Sequence, residues 1–250
     1  MNEAGFGDLV NSLFLDQEEN LWVGGRDGLY RLRPARFKNF TMREGLSCNN
    51  VMSVCQDREG SLWIGTWGGG LNRFQGDKIV AYGPGTGLTH GEVLSLHEGR
   101  DGSLWIGMDH GGGLNRFEPR MLSGQVGPRN VFPRRAGLLD AAMLVIHEDR
   151  QGALWVGTSK GLNILREGKV STYTPAEGLA GNIVMAILED SQGRVWVGTD
   201  GGLNCWKDGK LSTLSTRDGL SANGVNALYE DGAGELWIGT KGGGLNRLKA

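Results

Sequence analysis

The chain has 250 residues, and its 26 Lys and Arg against 28 Asp and Glu give a formal net charge of −2. This balance offers no basic face to nucleic acid or to an anionic membrane, so neither is expected as a partner. No apolar run reaches the ~18–20 residues that span a bilayer. The first residues show no basic segment followed by an apolar core, so we expect neither a membrane segment nor a signal peptide.

One phrase recurs six times and predicts how the chain is organised. A short apolar run that contains a tryptophan precedes a glycine-rich turn, as in Leu62–Thr66 and Trp67–Gly70. A period of about 40 residues is that of one four-stranded propeller blade. The chain is therefore predicted to be a single all-β domain, residues 1–250, that forms a six-bladed β-propeller. The repeating tryptophans are Trp22, Trp63, Trp105, Trp155, Trp196 and Trp237, with spacings of 41, 42, 50, 41 and 41 residues.

Each unit reads as four short strands bounded by glycine, aspartate and asparagine. In the second unit the predicted strands are Val51–Cys55, Leu62–Thr66, Leu71–Phe74 and Lys78–Tyr82. No segment is long and periodic enough to predict a helix. The units cover roughly residues 9–42, 51–82, 93–134, 143–174, 184–215 and 225–250.

The third and the last units depart from the common length. About eight extra residues lie near Glu118–Gln125, between the third and fourth strands, and predict a loop that protrudes from one face. The last unit ends its third strand at Leu248, so the sixth blade is predicted to lack its fourth strand. We predict a ring that closes with this three-stranded blade; the alternatives are that another chain completes the edge or that flanking blades are missing.

The recurring tryptophan, glycine and aspartate each have a structural interpretation. Neighbouring blades cover both faces of a blade, so Trp63 is expected to be buried. The glycine two residues later, Gly65 in this unit, permits close backbone approach or a bend. The segment from Asp57 to Gly60 suits a turn in which Asp bonds the backbone and Gly takes a positive φ. It lacks the alternating carboxylates of a calcium loop.

The three cysteines, Cys48, Cys55 and Cys205, are odd in number and share no repeat register, which argues against a disulfide framework. Cys55 and Cys205 fall at apolar strand positions and are expected to be small core residues. No paired Cys or His spacing indicates a metal site. The sequence therefore predicts no cofactor.

The sixth unit carries a resemblance to a known repeat. It contains Gly219–Val225, then Glu230 and Asp231, then Leu236–Thr240 and Gly242–Arg247. This series resembles the two-component regulator propeller repeat, and the resemblance covers essentially the whole chain.

In that family the propellers form the extracytoplasmic sensor of membrane histidine kinases and hybrid regulators, or precede diguanylate cyclase modules, and many are linked to carbohydrate sensing. The resemblance implies a periplasmic sensing module of a bacterial signal-transduction system that binds a saccharide or another small polar ligand. The family's sensors usually have more blades and then continue into an immunoglobulin-like domain, a membrane helix and a kinase. None of these follows Ala250, so we expect a fragment or an isolated propeller.

Candidate ligand-binding residues lie on two sets of loops that share one face of a propeller. One set joins strands two and three, and the other leads into strand one of the next blade. These loops vary between units, and variable loops on a rigid scaffold commonly carry binding. Trp67 is the first candidate because it is not one of the six repeating tryptophans. Its ring either stacks on a ligand or folds over a neighbouring turn. The other candidates are Arg26, Asp27, Asn49, His90, Asp109, His110, Lys160, Asp200 and Lys241.

Two further groups of residues have chemical potential. His90, Glu92, Asp109 and His110 should open on one face of the third blade, where they would suit a metal or acid–base catalysis, although no spacing enforces it. Trp206 ends a predicted third strand and is expected to pack in the core.

The sequence thus favours a binding or sensing module that is not an enzyme. Two alternatives stay open. One is a protein-interaction platform that uses the open edge of the last blade to bind another chain. The other is a metal-assisted lyase, because streptogramin-inactivating lyases are propellers with a similar repeat length.

Overall fold

The computed structural model describes residues 10–18, 20–33, 36–118, 129–132, 137–139 and 142–249. In these residues, 23 strands form six small antiparallel sheets that follow one another along the chain. Five sheets have four strands and the last has three. The predicted fold class is confirmed: the protein is all-β, with six blades of the β-propeller type and a three-stranded last blade.

The chain divides into two compact units, Met1–Pro133 and Arg134–Ala250, each with three blades. The single domain 1–250 stays a prediction. Blade 1 has β1 (Val10–Leu15), β2 (Leu21–Gly25), β3 (Gly28–Arg33) and β4 (Arg36–Phe40); blade 2 has β5 (Val51–Gln56), β6 (Leu62–Thr66), β7 (Gly70–Gln75) and β8 (Lys78–Tyr82); blade 3 has β9 (Val93–Glu98), β10 (Leu104–Met108), β11 (Leu114–Phe117) and β12 (Arg129–Phe132). Blade 4 has β13 (Met143–Glu148), β14 (Leu154–Thr158), β15 (Gly161–Arg166) and β16 (Lys169–Tyr173); blade 5 has β17 (Val184–Glu189), β18 (Val195–Thr199), β19 (Leu203–Lys207) and β20 (Lys210–Leu214); blade 6 has β21 (Val225–Glu230), β22 (Leu236–Thr240) and β23 (Gly244–Leu248).

The extra residues of the third unit lie where the sequence predicts them. β11 ends at Phe117 and β12 begins at Arg129, so the added length falls between the third and fourth strands. The predicted protruding loop itself lies outside the described residues.

Three single-turn 3-10 helices follow the fourth strands of blades 2, 4 and 5, at Pro84–Thr86, Pro175–Glu177 and Thr216–Asp218. They are too short to show a period in the sequence. In the second of them, the Glu177 carboxylate accepts the Thr174 N–H, and the Thr174 hydroxyl accepts the Ala176 N–H. Among the described residues, no helix has the length and apolar character needed to cross a membrane.

Neighbouring blades pack through a repeated contact between a valine and a glycine. Val51, the first residue of β5, is fully buried, and its Cγ1 lies 2.6 Å from the place where a Cβ on Gly24 would stand. Only glycine leaves room for this contact, so of the two predicted roles the close approach is observed, with a valine side chain as the neighbour. The same pair recurs as Val93 with Gly65, Val184 with Gly157 and Val225 with Gly198.

Triplets of aromatic rings fill the same junctions. Trp22 and Phe40 of blade 1 meet Phe74 of blade 2 with ring centroids 5.0 to 5.7 Å apart. Trp206 of blade 5 meets the edges of Trp155 and Tyr173 of blade 4 at 5.7 and 5.2 Å. The predicted core role of Trp206 is therefore confirmed. Trp63, Tyr82 and Phe117 form a third triplet of this kind.

The first turn of most blades is tied to the tryptophan by an aspartate. Buried Asp57 accepts the N–H groups of Glu59 and Ser61, and its other oxygen accepts the indole N–H of Trp63 at 2.8 Å. Gly60 closes the turn at φ +82°. The structural interpretation of this turn is confirmed, and the bond to tryptophan was not predicted. Equivalent bonds join Trp22 to Asp16, Trp155 to Asp149, Trp196 to Asp190 and Trp237 to Asp231 at 2.7 to 2.8 Å.

The three cysteines are free and half-buried. Cys55 and Cys205 pack against buried clusters of apolar residues, which confirms their predicted core role. Burial raises the pKa of Cys55 to about 11, and it also raises the pKa of Cys205. Cys48 differs, because its thiol donates to the carbonyl of Trp67 at 3.2 Å.

Candidate functional site

The two sets of variable loops are joined by backbone hydrogen bonds in both compact units. In the compact unit Met1–Pro133, the Trp67 N–H donates to the Asn50 carbonyl at 2.8 Å, and the Asp109 N–H donates to the Glu92 carbonyl at 3.0 Å. In the compact unit Arg134–Ala250, equivalent bonds join Asp200 to Ile183 and Lys241 to Gly224 at 3.0 and 2.7 Å. Because these bonds use only backbone groups, the side chains on the loops can vary without loss of the scaffold.

Blades 2 and 3 bring two predicted site residues together. The Trp67 ring is 36% exposed and meets the His110 ring edge to face, with centroids 5.6 Å apart and planes at 72°. Trp67 also pairs with Glu92 as a single antiparallel β-bridge, and the Gly68 N–H donates to the Gly91 carbonyl at 3.0 Å. The indole thus packs on one side against blade 3 and leaves part of its surface to solvent.

His110 has a backbone conformation that is uncommon outside glycine, with φ at +50°. Its side chain is 62% exposed, and Nδ1 lies 3.7 Å from Oδ2 of Asp109. Asp109 Oδ1 accepts the His110 N–H at 2.7 Å and so holds this shape. Histidine tolerates positive φ better than most residues, and such conformations concentrate at binding loops. The other described non-glycine residues with positive φ, Asp77, Glu167 and Asp208, all lie in hairpins between strands three and four.

The loop that carries His110 is built differently from its counterparts. In blade 2 the Thr66 hydroxyl closes the loop by donating to the Gly70 carbonyl at 2.8 Å, and Thr158, Thr199 and Thr240 act in the same way. Blade 3 has Met108 at this position, and its loop is one residue longer than that of blade 2. Here the hydroxyl comes from the loop that enters blade 3: the Thr89 hydroxyl donates to the Gly112 carbonyl at 2.8 Å. The departure from the repeat is thus local to the predicted site.

His90 lies on the loop that enters blade 3, and it is half-buried. Its Nδ1 has no hydrogen-bond partner within the part of the chain that the structure describes. His90, Glu92, Asp109 and His110 are the residues that the sequence offers for a metal or for acid–base chemistry. No group of three His, Cys, Asp or Glu side chains among the described residues has the geometry to hold a metal ion.

The remaining candidate ligand-binding residues of the compact unit Met1–Pro133 differ in their surroundings. Arg26 and Asp27 are exposed in the turn between β2 and β3. Asn49 is half-buried, and its side-chain oxygen accepts the Met42 N–H at 2.8 Å. Asn223 does the same for Thr216 in blade 6. Asn49 therefore shapes its own loop.

The candidate ligand-binding residues of the compact unit Arg134–Ala250 are exposed on their loops. Lys160 and Lys241 follow the ends of β14 and β22. Asp200 Oδ1 accepts the Ile183 N–H at 3.0 Å, so this carboxylate is partly engaged within blade 5.

Asparagines in the third strands also position the loops, a role that was not predicted from the sequence. Asn72 is fully buried, and its side-chain oxygen accepts the Ser47 N–H at 2.9 Å. In blades 2, 4, 5 and 6 such a bond fixes the loop that leads into the first strand to the centre of its own blade. The recurring Leu-Asn pair at the start of the third strand was the available signal. Equivalent bonds join Asn163 to Leu139, Asn204 to Ala180 and Asn246 to Ser221.

The six sheets, the glycine–valine junctions and the paired loops define a β-propeller that presents variable side chains from a repeated scaffold. The sequence pattern of the family described as two component regulator propeller matches residues 45–68, 87–110, 137–160, 178–201 and 219–242. Each segment runs from the loop before strand one to the loop after strand two. The chain belongs to the two component regulator propeller family. The first of the six predicted units precedes the first matched segment.

Solved structures share the fold. The extracellular domain of BT4673 from B. thetaiotaomicron, described as a one component system, has a TM-score of 0.79 and 24% identity over 98% of this chain and 35% of that chain. The extracellular domain of BT3049 from the same organism, described as a hybrid two component system, has a TM-score of 0.62 and 21% identity over 100% of this chain and 40% of that chain. This chain therefore spans less than half the length of either domain.

A lyase also shares the architecture. Virginiamycin B lyase from Staphylococcus aureus has a TM-score of 0.70 and 12% identity, over 96% of this chain and 84% of that chain. Identity at this level shows the fold alone. No curated protein matches the chain in sequence.

Proposed function

We propose that the chain is a ligand-binding propeller that senses a small molecule for a bacterial signal-transduction system, and that it is not an enzyme. The family supports a regulatory propeller. The two similar B. thetaiotaomicron domains are extracellular, which supports an extracytoplasmic location. The contact between Trp67 and His110 carries the proposal, because it sets a partly exposed indole beside an exposed imidazole on braced loops.

The ligand is a saccharide or another small polar molecule. An exposed indole face can stack on the C–H face of a sugar ring, while nearby polar groups fix its hydroxyls. His110 supplies a donor and an acceptor, and Asp109 Oδ2 supplies a second acceptor close by. The roles of the other named candidates in ligand binding stay predictions.

Thermal-shift screening followed by calorimetric titration tests this function. The panel contains mono- and oligosaccharides, small carboxylic acids and divalent metals. A ligand at 100 times its dissociation constant stabilises the folded state by about 2.7 kcal/mol, which shifts the melting temperature visibly. A saccharide that binds is the expected result, and silence across the panel would argue against a small-molecule sensor.

Variants then test where the ligand binds. Trp67→Ala and His110→Gly should each weaken binding about tenfold, which corresponds to about 1.4 kcal/mol. Glycine at position 110 keeps the positive φ, so the loop is retained. Lys78→Ala is the matched control, because Lys78 is exposed at the opposite end of blade 2. Unchanged binding in both site variants would remove the ligand from this pair of residues.

A protein-interaction role is the second candidate, and β23 favours it. This strand is the outermost of a three-stranded sheet and is largely exposed. Unpaired edges accept an added strand. A synthetic peptide with the sequence of β20, the fourth strand of blade 5, should protect the amides of β23 from hydrogen exchange. A lack of protection would leave this role without support.

The lyase alternative rests on a similarity of fold alone.

A further inference from the structure

The junction between blades 4 and 5 contains a cavity of about 620 Å³ that opens to solvent. We call it the blade 4–5 cleft. It is lined by the first turns of the two blades and by their hairpins between strands three and four. These turns lie at the ends of the strands opposite to the loops that carry Lys160 and Asp200. The volume falls within the range of ~300–1,000 Å³ that ligand pockets have.

The floor and one wall of the blade 4–5 cleft are apolar and aromatic. Trp155, Ile164 and Val195 are buried at its floor. Trp206 and Tyr173 are half-buried and also line it, with their ring centroids 5.2 Å apart and their planes at 77°. The cleft thus offers aromatic surface to the alkyl or planar part of a small ligand.

The polar lining of the cleft is acidic. Its carboxylates are Asp149, Glu167, Glu189 and Asp208, and its cationic groups are Arg166 and Lys169. Arg166 is held within blade 4, because its Nη2 donates to the side-chain oxygen of Gln151 at 3.0 Å and lies 3.7 Å from Asp149 Oδ2. Glu167 and Asp208 are exposed and lie at φ +52° and +50° in the hairpins of blade 4 and blade 5. A carboxylate therefore stands on each side of the cleft, and the lining as a whole attracts a cation.

The other three junctions between blades of the same compact unit hold a guanidinium of the chain itself. In each of them an arginine lies over the repeating tryptophan, with its Cζ 5.2 to 5.3 Å from the ring centroid: Arg31 over Trp22, Arg73 over Trp63 and Arg194 over Trp196. In the junction between blades 1 and 2, Arg31 lines a cavity of only about 220 Å³. An arginine at this position therefore leaves little space.

Blade 4 has no arginine at either of the positions that supply one elsewhere. Ile164 pairs with Trp155 across the sheet as Arg73 pairs with Trp63. Ala153, two residues before the tryptophan, takes the place of the arginine that blade 5 has there. The junction between blades 4 and 5 thus keeps an aromatic and acidic lining and leaves room for a cation from outside the chain.

We propose that the blade 4–5 cleft is a second ligand site and that it binds an organic cation with an alkylguanidinium group. A planar guanidinium stacks on aromatic rings and donates to carboxylates, and both kinds of group line this cleft. The cationic group lies between the carboxylates of Glu167 and Asp208, and the alkyl part packs against Trp206 and Ile164. The site uses neither Trp67 nor His110, so it goes beyond the ligand binding proposed above.

Calorimetric titration of the whole chain tests the chemistry of the ligand. The probes are n-butylguanidinium and n-butylurea, which have nearly the same shape and differ in charge. The guanidinium should bind, and the urea should bind at least about tenfold more weakly, because it lacks the charge that the aromatic rings and carboxylates attract. Equal affinity for the two probes, or no binding of the guanidinium, would overturn the proposal.

Variants test the place of binding. Ile164→Arg gives blade 4 the arginine of the other blades and should weaken binding of n-butylguanidinium at least about tenfold, because the chain's own guanidinium then competes for the cleft. Ile164→Leu is the matched control and should bind as the natural sequence does. Asp208→Asn removes one exposed carboxylate and should weaken binding about threefold.

A last comparison separates this site from the proposed ligand site. Trp67→Ala should bind n-butylguanidinium with unchanged affinity, and a loss in this variant would assign the cation to the other site. Unchanged affinity in both Ile164→Arg and Asp208→Asn would likewise overturn the proposal. Far-UV circular dichroism and the melting temperature establish that each variant is folded, and Asp208→Asn, an exposed substitution, decides the question if Ile164→Arg does not fold.

Discussion

At the scale of the residue, the buried carboxylate of Asp57 stabilises a turn and a tryptophan together. In Asp57→Asn the side-chain oxygen can still accept the turn N–H groups, but the amide nitrogen then faces the indole N–H of Trp63, donor against donor. We expect a loss of about 1–3 kcal/mol of unfolding free energy, measured as a lower urea midpoint. Asp77→Asn is the control, because the exposed ion pair of Asp77 with Lys38 contributes little. Equal effects of the two variants would contradict this role.

Related carboxylates link stability to pH. Burial disfavours ionisation of Asp190, but hydrogen bonds from Trp196 and Arg194 outweigh it and hold the pKa of this carboxyl below its usual 3.8. The pKa of Asp16 is lowered in the same way. For a group with a lowered pKa, the unfolded chain takes up the proton first as pH falls. The stabilisation is therefore complete above the unfolded pKa and is lost as pH falls through the folded pKa.

The melting temperature should consequently fall most steeply below about pH 4. His147 adds a shallower loss that begins below its usual pKa of 6.5, because burial lowers the pKa of this imidazole in the folded state. Melting curves from neutral to acidic pH measure both phases. Asp190→Asn should flatten the acid phase and leave the shallower one in place. A stability that rises towards acid would contradict this assignment.

At the scale of the element, two neighbouring blades pack closely because Gly65 has no Cβ. In Gly65→Ala the new Cβ would stand 2.4 Å from Ser53 Oγ and 2.6 Å from Val93 Cγ1, so β6 and β9 must move apart. Overpacking of this kind costs about 1–3 kcal/mol. Gly239→Ala is a matched control, because its nearest neighbour would be 3.3 Å away. Urea unfolding of both variants measures the difference, and an equal cost at the two positions would show that the junction is not the cause.

The strands were predictable from sequence, and the contacts between blades were predictable only in part. Trp63 and Gly65 recur at fixed spacing, so a repeat could be read and the close approach at the glycine inferred. The bond from Asp57 to Trp63 also had a signal, since the six-residue spacing recurs. The contact of Trp67 with His110 had none. It joins two blades, and it depends on a positive φ in a loop that one added residue reshapes.

The same limit explains the mixed outcome for the other candidates. Asn49 stands on the predicted loop, but its side chain is bonded to the Met42 N–H. An asparagine that supports its own loop and one that binds a ligand look alike in a sequence. Trp206 was placed in the core because it lay on a strand, and strand membership is what periodicity does reveal.

At the scale of the whole molecule, the blades of one compact unit should differ in local stability. Within the second unit, blade 5 packs against both blade 4 and blade 6, and β18 is buried throughout. β22 of blade 6 is only partly buried. In repeat architectures each added junction contributes its own stabilisation, and weakly covered elements open first. At low protein concentration, hydrogen exchange measured by mass spectrometry should therefore be faster in β22 than in β18. Equal rates would mean that the unit opens as one block.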